Sequence, residues 1–370
     1  VIRVPVRLRR ILDESHDIRI GRGLGARLSV DLRRRGLAAR YVVVADRRLL
    51  PRHGRRLLAS LRRRGLQADL IAVAGGEGSK TRAVRDRLED ALLRLGADRG
   101  TALIALGGGV IGDLTGFVAA TFHRGIPHVQ VPTTLLGMVD ASIGGKTAIN
   151  HPKGKNLIGA YHPPAAVYID LDYLETLPAR AFRSGLAEVV KCGVIADPAL
   201  FVTLERHADR VLRRDLDFLV GIVEACVRLK ARVVSGDPRE AGRRVVLNFG
   251  HTLGHALETL SRYRMTHGEA VAVGMVAEAR LAARAGLAPA SLVPRLAALL
   301  RRLGLPTALP RGLRAKALLG VARRDKKARQ GRIVYVLPAR LGAMARPGGG
   351  YGIPLDDGFV TASLDASQRA

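Results

Sequence analysis

The feature that most constrains the fold is a change of hydrophobic period near residue 175. Before it, short apolar runs at 41–45, 70–74, 101–106, 128–131 and 167–170 alternate with amphipathic stretches at 52–64 and 81–95. The runs are too short for helices and are bounded by Gly, Pro, Asp or Thr, which fits strands buried on both faces. Strands alternating with helices predict a parallel sheet covered on both sides. The runs end in small or polar residues: Asp46, Gly75-Gly-Glu77, Gly107-Gly-Gly109 and Pro132-Thr-Thr134. Open α/β sheets bind their ligands at such carboxyl ends.

After 175 the helical period takes over, first from Pro178 to Val194, then over 198–212, 215–234, 250–261, 268–286 and 290–303. A short strand is predicted at 332–337, then a loose glycine-rich tail, Gly348-Gly-Gly350, before a final short helix. The pattern therefore predicts an α/β N-terminal domain with a parallel Rossmann-like sheet over 1–175. A mostly α-helical C-terminal domain over 176–370 packs against it around a cleft.

Composition removes several classes of function. No apolar run is long enough to span a membrane, and the first residues lack the apolar core of a secretion signal. No membrane partner is expected, and Cys192 and Cys226 read as reduced packing residues of a cytoplasmic protein. The net charge of +29 invites a nucleic-acid reading. Aromatic residues make up only 4% and Trp is absent, so stacking platforms are scarce and no nucleic-acid partner is expected. Of 61 lysines and arginines only nine are lysine. Where arginine serves as the general cation, a retained lysine marks a site that needs a compact, rotatable ammonium.

The densest chemistry lies in Asn248-Phe-Gly-His251-Thr-Leu-Gly-His255, followed by His267-Gly-Glu269. His251 and His255, one helical turn apart, share a face with Cβ atoms about 5–6 Å apart. Such a pair binds a metal or a phosphate, or is simply structural; read from helical spacing alone, it is the ligand pair. Glu188 and Lys191, at i and i+3 of an apolar helix, form an ion pair, or Glu188 joins the histidines as a carboxylate ligand. Two imidazoles and a carboxylate with an open position make a catalytic zinc-type set, which lowers the pKa of a bound hydroxyl.

Elsewhere, Gly107-Gly-Gly-Val-Ile-Gly112 contains G-x-G-x-x-G between a strand and a helix, and Asp46 ends an earlier strand, where it can accept from a ribose. The glycine motif follows the third strand rather than the first, so alone it is weak. Asp140, Lys146, Lys155 and Asn156 stand in glycine-rich segments that resemble phosphate loops without Walker spacing.

Taken together these motifs resemble the 3-dehydroquinate synthase family, over about residues 40–340. The resemblance rests on Gly107 to Gly116, Pro132-Thr-Thr-Leu-Leu136, Val139 to Lys146, Gly154-Lys-Asn156, Leu186-Ala-Glu-Val-Val-Lys191, Asn248 to His255, His267-Gly-Glu269 and Arg324-Asp-Lys-Lys327. It implies NAD and one divalent metal, zinc or cobalt, as cofactors. It makes Glu188, His251 and His267 the metal ligands and turns His255 toward the substrate. Asp140, Lys146, Lys155, Asn156, Lys191, Lys230, Arg244 and Asn248 match substrate-site positions, and Lys326 or Lys327 completes the phosphate site. Arg124 matches an arginine that reaches the substrate phosphate of a partner subunit, which implies a homodimer.

The NAD contacts implied are Asp46, Gly75, Gly76, Glu77, Gly78, Ser79, Lys80, Gly109, Val110, Ile111, Gly112, Asp113, Thr133, Thr134, Tyr173, Leu174, Glu175 and Thr176, with Lys146 and Lys155 beside them. The implied substrate is a sugar phosphate, 3-deoxy-D-arabino-heptulosonate 7-phosphate, and the pathway is the shikimate pathway. The implied reaction has no net redox change: C5 is oxidised, phosphate is eliminated, the hydride returns, the ring opens and an aldol step closes the carbocycle. Alternatives are a related cyclase, such as an aminodehydroquinate synthase or one acting on sedoheptulose 7-phosphate or glucose 6-phosphate. A metal-dependent polyol dehydrogenase of related fold, releasing NADH, is another.

Overall fold

The computed structural model describes residues 13–240, 242–323 and 332–369, so Lys326 and Lys327 lie outside the described residues. The first part of the chain runs β1 (Asp17–Gly21), α1 (Leu24–Arg35), β2 (Arg40–Asp46), α2 (Arg55–Arg63), β3 (Gln67–Val73), α3 (Arg82–Arg94), β4 (Thr101–Gly107), α4 (Gly109–Thr121), β5 (His128–Pro132), β6 (Lys146–His151), β7 (Gly154–Tyr161) and β8 (Ala166–Asp170). Six of these strands form one parallel sheet in the order β1-β8-β5-β4-β2-β3. On β2, Tyr41, Val43 and Ala45 enter one core while Val42 and Val44 enter the other; on β4, Ala102, Ile104 and Leu106 oppose Leu103 and Ala105. Both faces are covered, which is why these strands read as continuous apolar runs. The chain goes outward from β2 to β3, then crosses to β4 on the other side of β2. That reversal opens a crevice at the carboxyl ends of β2 and β4.

The second part is helical: α5 (Ala179–Ile195), α6 (Pro198–Leu212), α7 (Leu216–Gly236), α8 (His251–Leu260), α9 (His267–Arg284), α10 (Leu292–Arg302) and α11 (Ala315–Ala322). It packs on the sheet through a shared core. Leu186, Phe201, Val223, Met275 and Leu300 belong to the same buried cluster as Tyr41 and Ile104. Three short strands, β9 (Val334–Val336), β10 (Pro338–Arg340) and β11 (Ala343–Met344), precede β12 (Gly352–Pro354) and α12 (Asp357–Arg369). No helix among the described residues is long and apolar enough to cross a membrane. Cys192 and Cys226 are both free and buried.

Two local expectations change, and one strand has no counterpart in the sequence reading. The glycine-rich tail is not loose: β12 pairs antiparallel with β9, setting Ile353 opposite Tyr335, and both are buried. Of the segments read as phosphate loops, Lys146, Lys155 and Asn156 stand on an antiparallel hairpin, β6–β7, and Asp140 lies on a helical turn before it. β1, half-buried at the sheet edge beside β8, carries no distinct strand pattern of its own. In each case the strand exists because a partner distant in sequence, or a two-sided turn, satisfies its backbone, which local composition does not encode.

Candidate active site

Two adjoining cavities occupy the crevice. One, about 640 Å³, lies over the ends of β2 to β5 and is lined by Asp46, Gly75, Gly76, Glu77, Lys80, Gly109, Val110, Ile111, Thr133, Thr134, Lys155, Tyr173 and Thr176. The other, about 410 Å³, lies between the β6–β7 hairpin and the helices and is lined by Lys146, Lys191, Lys230, Arg244, Asn248, His251 and His255. Asp113, Asp140, Ala141, Asn156 and His267 line both, so the two are lobes of one crevice.

The first lobe is shaped by close backbone approach. A Cβ on Gly109 would sit 2.9 Å from the Ala141 Cβ, and one on Gly107 2.6 Å from Ile111. The glycines thus let the β4–α4 turn press against 137–141. The N-terminus of α4 has no side-chain cap. Its free N–H groups and the positive end of its dipole suit an anion. Asp46 lines this lobe and already accepts the Arg48 N–H at 3.0 Å, Nε at 3.1 Å and Nη2 at 2.6 Å. A Cβ on Gly75 would collide with that carboxylate. Lys80 Nζ donates to Asp113 Oδ2 at 2.6 Å and Asn156 Oδ1 at 2.5 Å, tying the loop after β3 to α4 and to the hairpin. Gly78 and Ser79 do not line the lobe. Gly112 packs instead, since a Cβ there would meet Gln130 Oε1 at 2.6 Å. The Leu174 side chain is in the core and Glu175 turns outward, 3.8 Å from Arg22.

The second lobe is rich in cations held in place by acids. Lys230 Nζ donates to Asp140 Oδ1 at 2.5 Å. Burial pushes the Asp140 carboxyl up, but the Lys230 and Lys191 ammoniums outweigh it and hold it below the ordinary value. Buried Arg244 donates to the Gly144 carbonyl at 3.1 Å. Glu240 accepts from Asn248 Nδ2 at 2.8 Å and pairs with Lys146. Sequence reasoning missed Glu240, and no local pattern marks it. Arg124 is not brought into either lobe. It is exposed on the turn after α4, where His123 (φ 49°), Arg124 (φ 67°) and Gly125 (φ 120°) all have positive φ.

Where the lobes meet, three helices deliver donor atoms. Glu188 comes from mid-α5, and His251 and His267 are the first residues of α8 and α9. Thr266 and Glu269 close a capping box that starts α9 at His267. His267 Nε2 is 3.1 Å and His251 Nε2 3.4 Å from the same oxygen, Glu188 Oε1. The Nδ1 of His251 lies 3.0 Å from the Phe249 carbonyl and donates to it, which turns Nε2 toward Glu188 as the nitrogen that could hold a metal. Lys191 pairs with the other Glu188 oxygen. Burial would raise the Glu188 carboxyl, yet Lys191 and His251 hold it well below the usual range. Burial alone would lower His267, but hydrogen bonds to Glu188 and Glu258 push it up to about 10. A positive charge wedged between two buried carboxylates is the pattern a divalent cation replaces, so the donor set fits a metal.

His255 is not excluded by geometry. Its ring centroid lies 5.3 Å from that of His251 and 6.0 Å from that of His267. His255, Glu258 and His267 also bring ligand atoms within 4.8 Å of one another, as do Glu188, His251 and His267. Glu258 was missed by sequence reasoning, although its spacing of three from His255 and seven from His251 places it on the same helix face.

A model of the 3-dehydroquinate synthase N-terminal domain matches residues 70–184, and one of the C-terminal domain matches residues 185–328. The chain belongs to the 3-dehydroquinate synthase family. The 3-dehydroquinate synthase of Geobacter metallireducens is 48% identical over 334 residues, covering 90% of this chain and 92% of that one. Among solved structures, the 2-epi-5-epi-valiolone synthase of Streptomyces hygroscopicus subsp. jinggangensis, with NAD+ and Zn2+ bound, has a TM-score of 0.89 at 27% identity, covering 98% of this chain and 99% of that one. A 2-deoxy-scyllo-inosose synthase complexed with carbaglucose-6-phosphate, NAD+ and Co2+ has a TM-score of 0.86 at 26% identity, covering 95% of this chain and 96% of that one. The family and the fold expected from the motifs are both borne out.

Proposed function

We propose that this chain is a 3-dehydroquinate synthase, converting 3-deoxy-D-arabino-heptulosonate 7-phosphate to 3-dehydroquinate and phosphate. It would act in the cytoplasm as a homodimer, with NAD held by 1–175, the metal by 176–370, and the substrate between the helices of 176–370 and the β6–β7 hairpin. The carrying observation is the convergence of Glu188, His251 and His267 within 4.8 Å, at the junction of a glycine-walled lobe and a cation-rich one. Those three would hold one divalent cation, zinc or cobalt, and the lobe at the strand ends would hold NAD. When bound, the cation supplies charge that stabilises a substrate oxyanion, and NAD supplies a hydride acceptor that is regenerated within the cycle.

The chain's own groups do the rest. Lys146, Lys230 and Arg244 compensate a substrate that bears both a carboxylate and a phosphate, and Asn156 and Asn248 offer it amide hydrogen bonds. Glu240 holds Lys146 and Asn248 in place until the substrate's anionic groups take them over. Lys326 or Lys327, and Arg124 from a partner subunit, would complete the phosphate site. His255 faces the substrate lobe beside the ligands. The proton lost with the phosphate is taken by the departing phosphate itself. The walls of the lobe keep the open-chain intermediate in reacting geometry for the aldol closure.

The test is to supply the heptulosonate phosphate, catalytic NAD and zinc to the purified protein, and to follow phosphate, product and NADH. One phosphate per carbocycle with no net NADH is expected. Stoichiometric NADH would mean a polyol dehydrogenase. Turnover of only the amino analogue or of sedoheptulose 7-phosphate would mean a different cyclase.

A further inference from the structure

Two groups at the proposed metal centre do more than the ligand set requires. Glu258, on α8, is buried, and its two oxygens are divided between partners. Oε2 lies 3.3 Å from His267 Nδ1, and Oε1 accepts from Lys155 Nζ at 3.1 Å. Lys155 in turn stands 3.5 Å from Glu77 Oε1, in the loop after β3, with its ammonium 5.1 Å from the centre of the Tyr263 ring. Three side chains, Glu77, Lys155 and Glu258, therefore connect the wall of the nucleotide lobe to His267.

A histidine that ligates through Nε2 must carry its proton on Nδ1, and the acceptor there fixes the tautomer, the ring plane and the basicity of the ligating nitrogen. We propose that Glu258 is a positioning residue of the metal centre, holding His267 with Nε2 toward Glu188. We further propose that Lys155, on its other oxygen, makes this hold respond to the nucleotide lobe. When an anionic nucleotide draws the Lys155 ammonium toward itself, Glu258 loses a counter-charge and presents more negative charge to His267. Nucleotide and metal then tighten each other reciprocally. The inference rests on the metal reading above.

Zinc affinity, measured by chelator competition on the metal-stripped full chain, separates the two. If the metal reading fails, wild type and Glu188→Ala take up zinc alike. If it holds, Glu258→Gln and Glu258→Ala are expected to bind zinc about 10–100-fold more weakly. Their Co2+ absorption spectrum should match that of wild type, and Glu258→Asp should recover part of the loss. Glu258→Gln preserves the shape of the site should the alanine variant not fold. NAD is expected to tighten zinc binding about 5-fold or more in wild type, and not at all in Lys155→Met. Wild-type zinc affinity in both Glu258 variants overturns the positioning role. Loss as complete as in Glu188→Ala, with an altered Co2+ spectrum, also overturns it and makes Glu258 a ligand of the His255–Glu258–His267 set. Zinc affinity in wild type that ignores NAD overturns the coupling.

Discussion

The carboxylate of Glu278 accepts the backbone N–H of Gly250 at 2.6 Å. Its other oxygen accepts the N–H of Leu253 at 3.1 Å. Glu278 is fully buried on α9, and Gly250, with φ 78°, is the residue from which α8 starts. The helix that opens with His267 thus fixes where the helix that opens with His251 begins. Glu278→Ala strands two buried N–H groups and is expected to cost about 3 kcal/mol in urea unfolding, with weaker zinc binding in the folded fraction. A cost below about 1 kcal/mol would remove this role.

The approach of the three helices depends on residues without side chains. A Cβ on Gly268 would collide with the Ser184 carbonyl of α5, and one on Gly274 with the Gly250 carbonyl. Gly268→Ala must push α9 away from α5 and carry His267 away from Glu188. We expect it to cost about 1–3 kcal/mol and to lose zinc. Gly221→Ala, on α7 where a Cβ meets nothing within 4 Å, should instead stabilise by about 0.5–1 kcal/mol. Equal effects of the two substitutions in thermal unfolding would sink this reading.

The two histidines of α8 should separate by phenotype. Glu188→Ala and His267→Ala are expected to lose metal and activity together, as is His251→Ala. His255→Ala should keep its metal while phosphate release falls. Elemental analysis beside the phosphate-release assay decides it, and full zinc content in Glu188→Ala would be fatal to the ligand assignment.

Acid sensitivity should trace partly to His128. It is buried at the start of β5, stacked on His162 at 5.2 Å, and neither ring nitrogen has a partner among the described residues. Burial, reinforced by His162 and His16, pushes it down to about 3 from 6.5. The folded state therefore stays neutral while the unfolded chain takes up a proton below pH 6.5. The stability is fully present above pH 6.5 and is lost as pH falls toward 3. At about 1.4 kcal/mol per pH unit, the loss between pH 6.5 and 5 is about 2 kcal/mol. His128→Leu should shrink the stability difference between pH 7.5 and pH 5 by that amount in urea titrations. An unchanged difference would count against this account.

Legibility in the sequence followed burial. β2, β4 and β8 announce themselves because both faces are covered and almost every position is apolar, while β3, at the sheet edge, shows only through its apolar stretch at 70–73. β1 does not, because it is a half-buried edge strand, and β12 does not, because three residues are too few to show a period. At the site, the glycines, lysines and histidines were visible as residue types in a lysine-poor, histidine-poor chain. Helical spacing alone pairs His251 with His255, whereas His251 and His267 are the two that approach the same oxygen of Glu188. Resemblance, not periodicity, pointed to His267. Glu240 and Glu278 had no local signal, since each acts on groups that only folding brings near.

The sequence by itself determined that a parallel sheet precedes a helical half, that the strand ends are small and polar, and which scarce side chains carry the chemistry. The tertiary structure decided which histidine nitrogens converge with Glu188 and which acids hold them. The reason is physical: the positions of His251 and His267 at the tips of α8 and α9 are set by backbone contacts at Gly250, Gly268 and Gly274. Such distances between separate helices leave no trace in the period of any one of them.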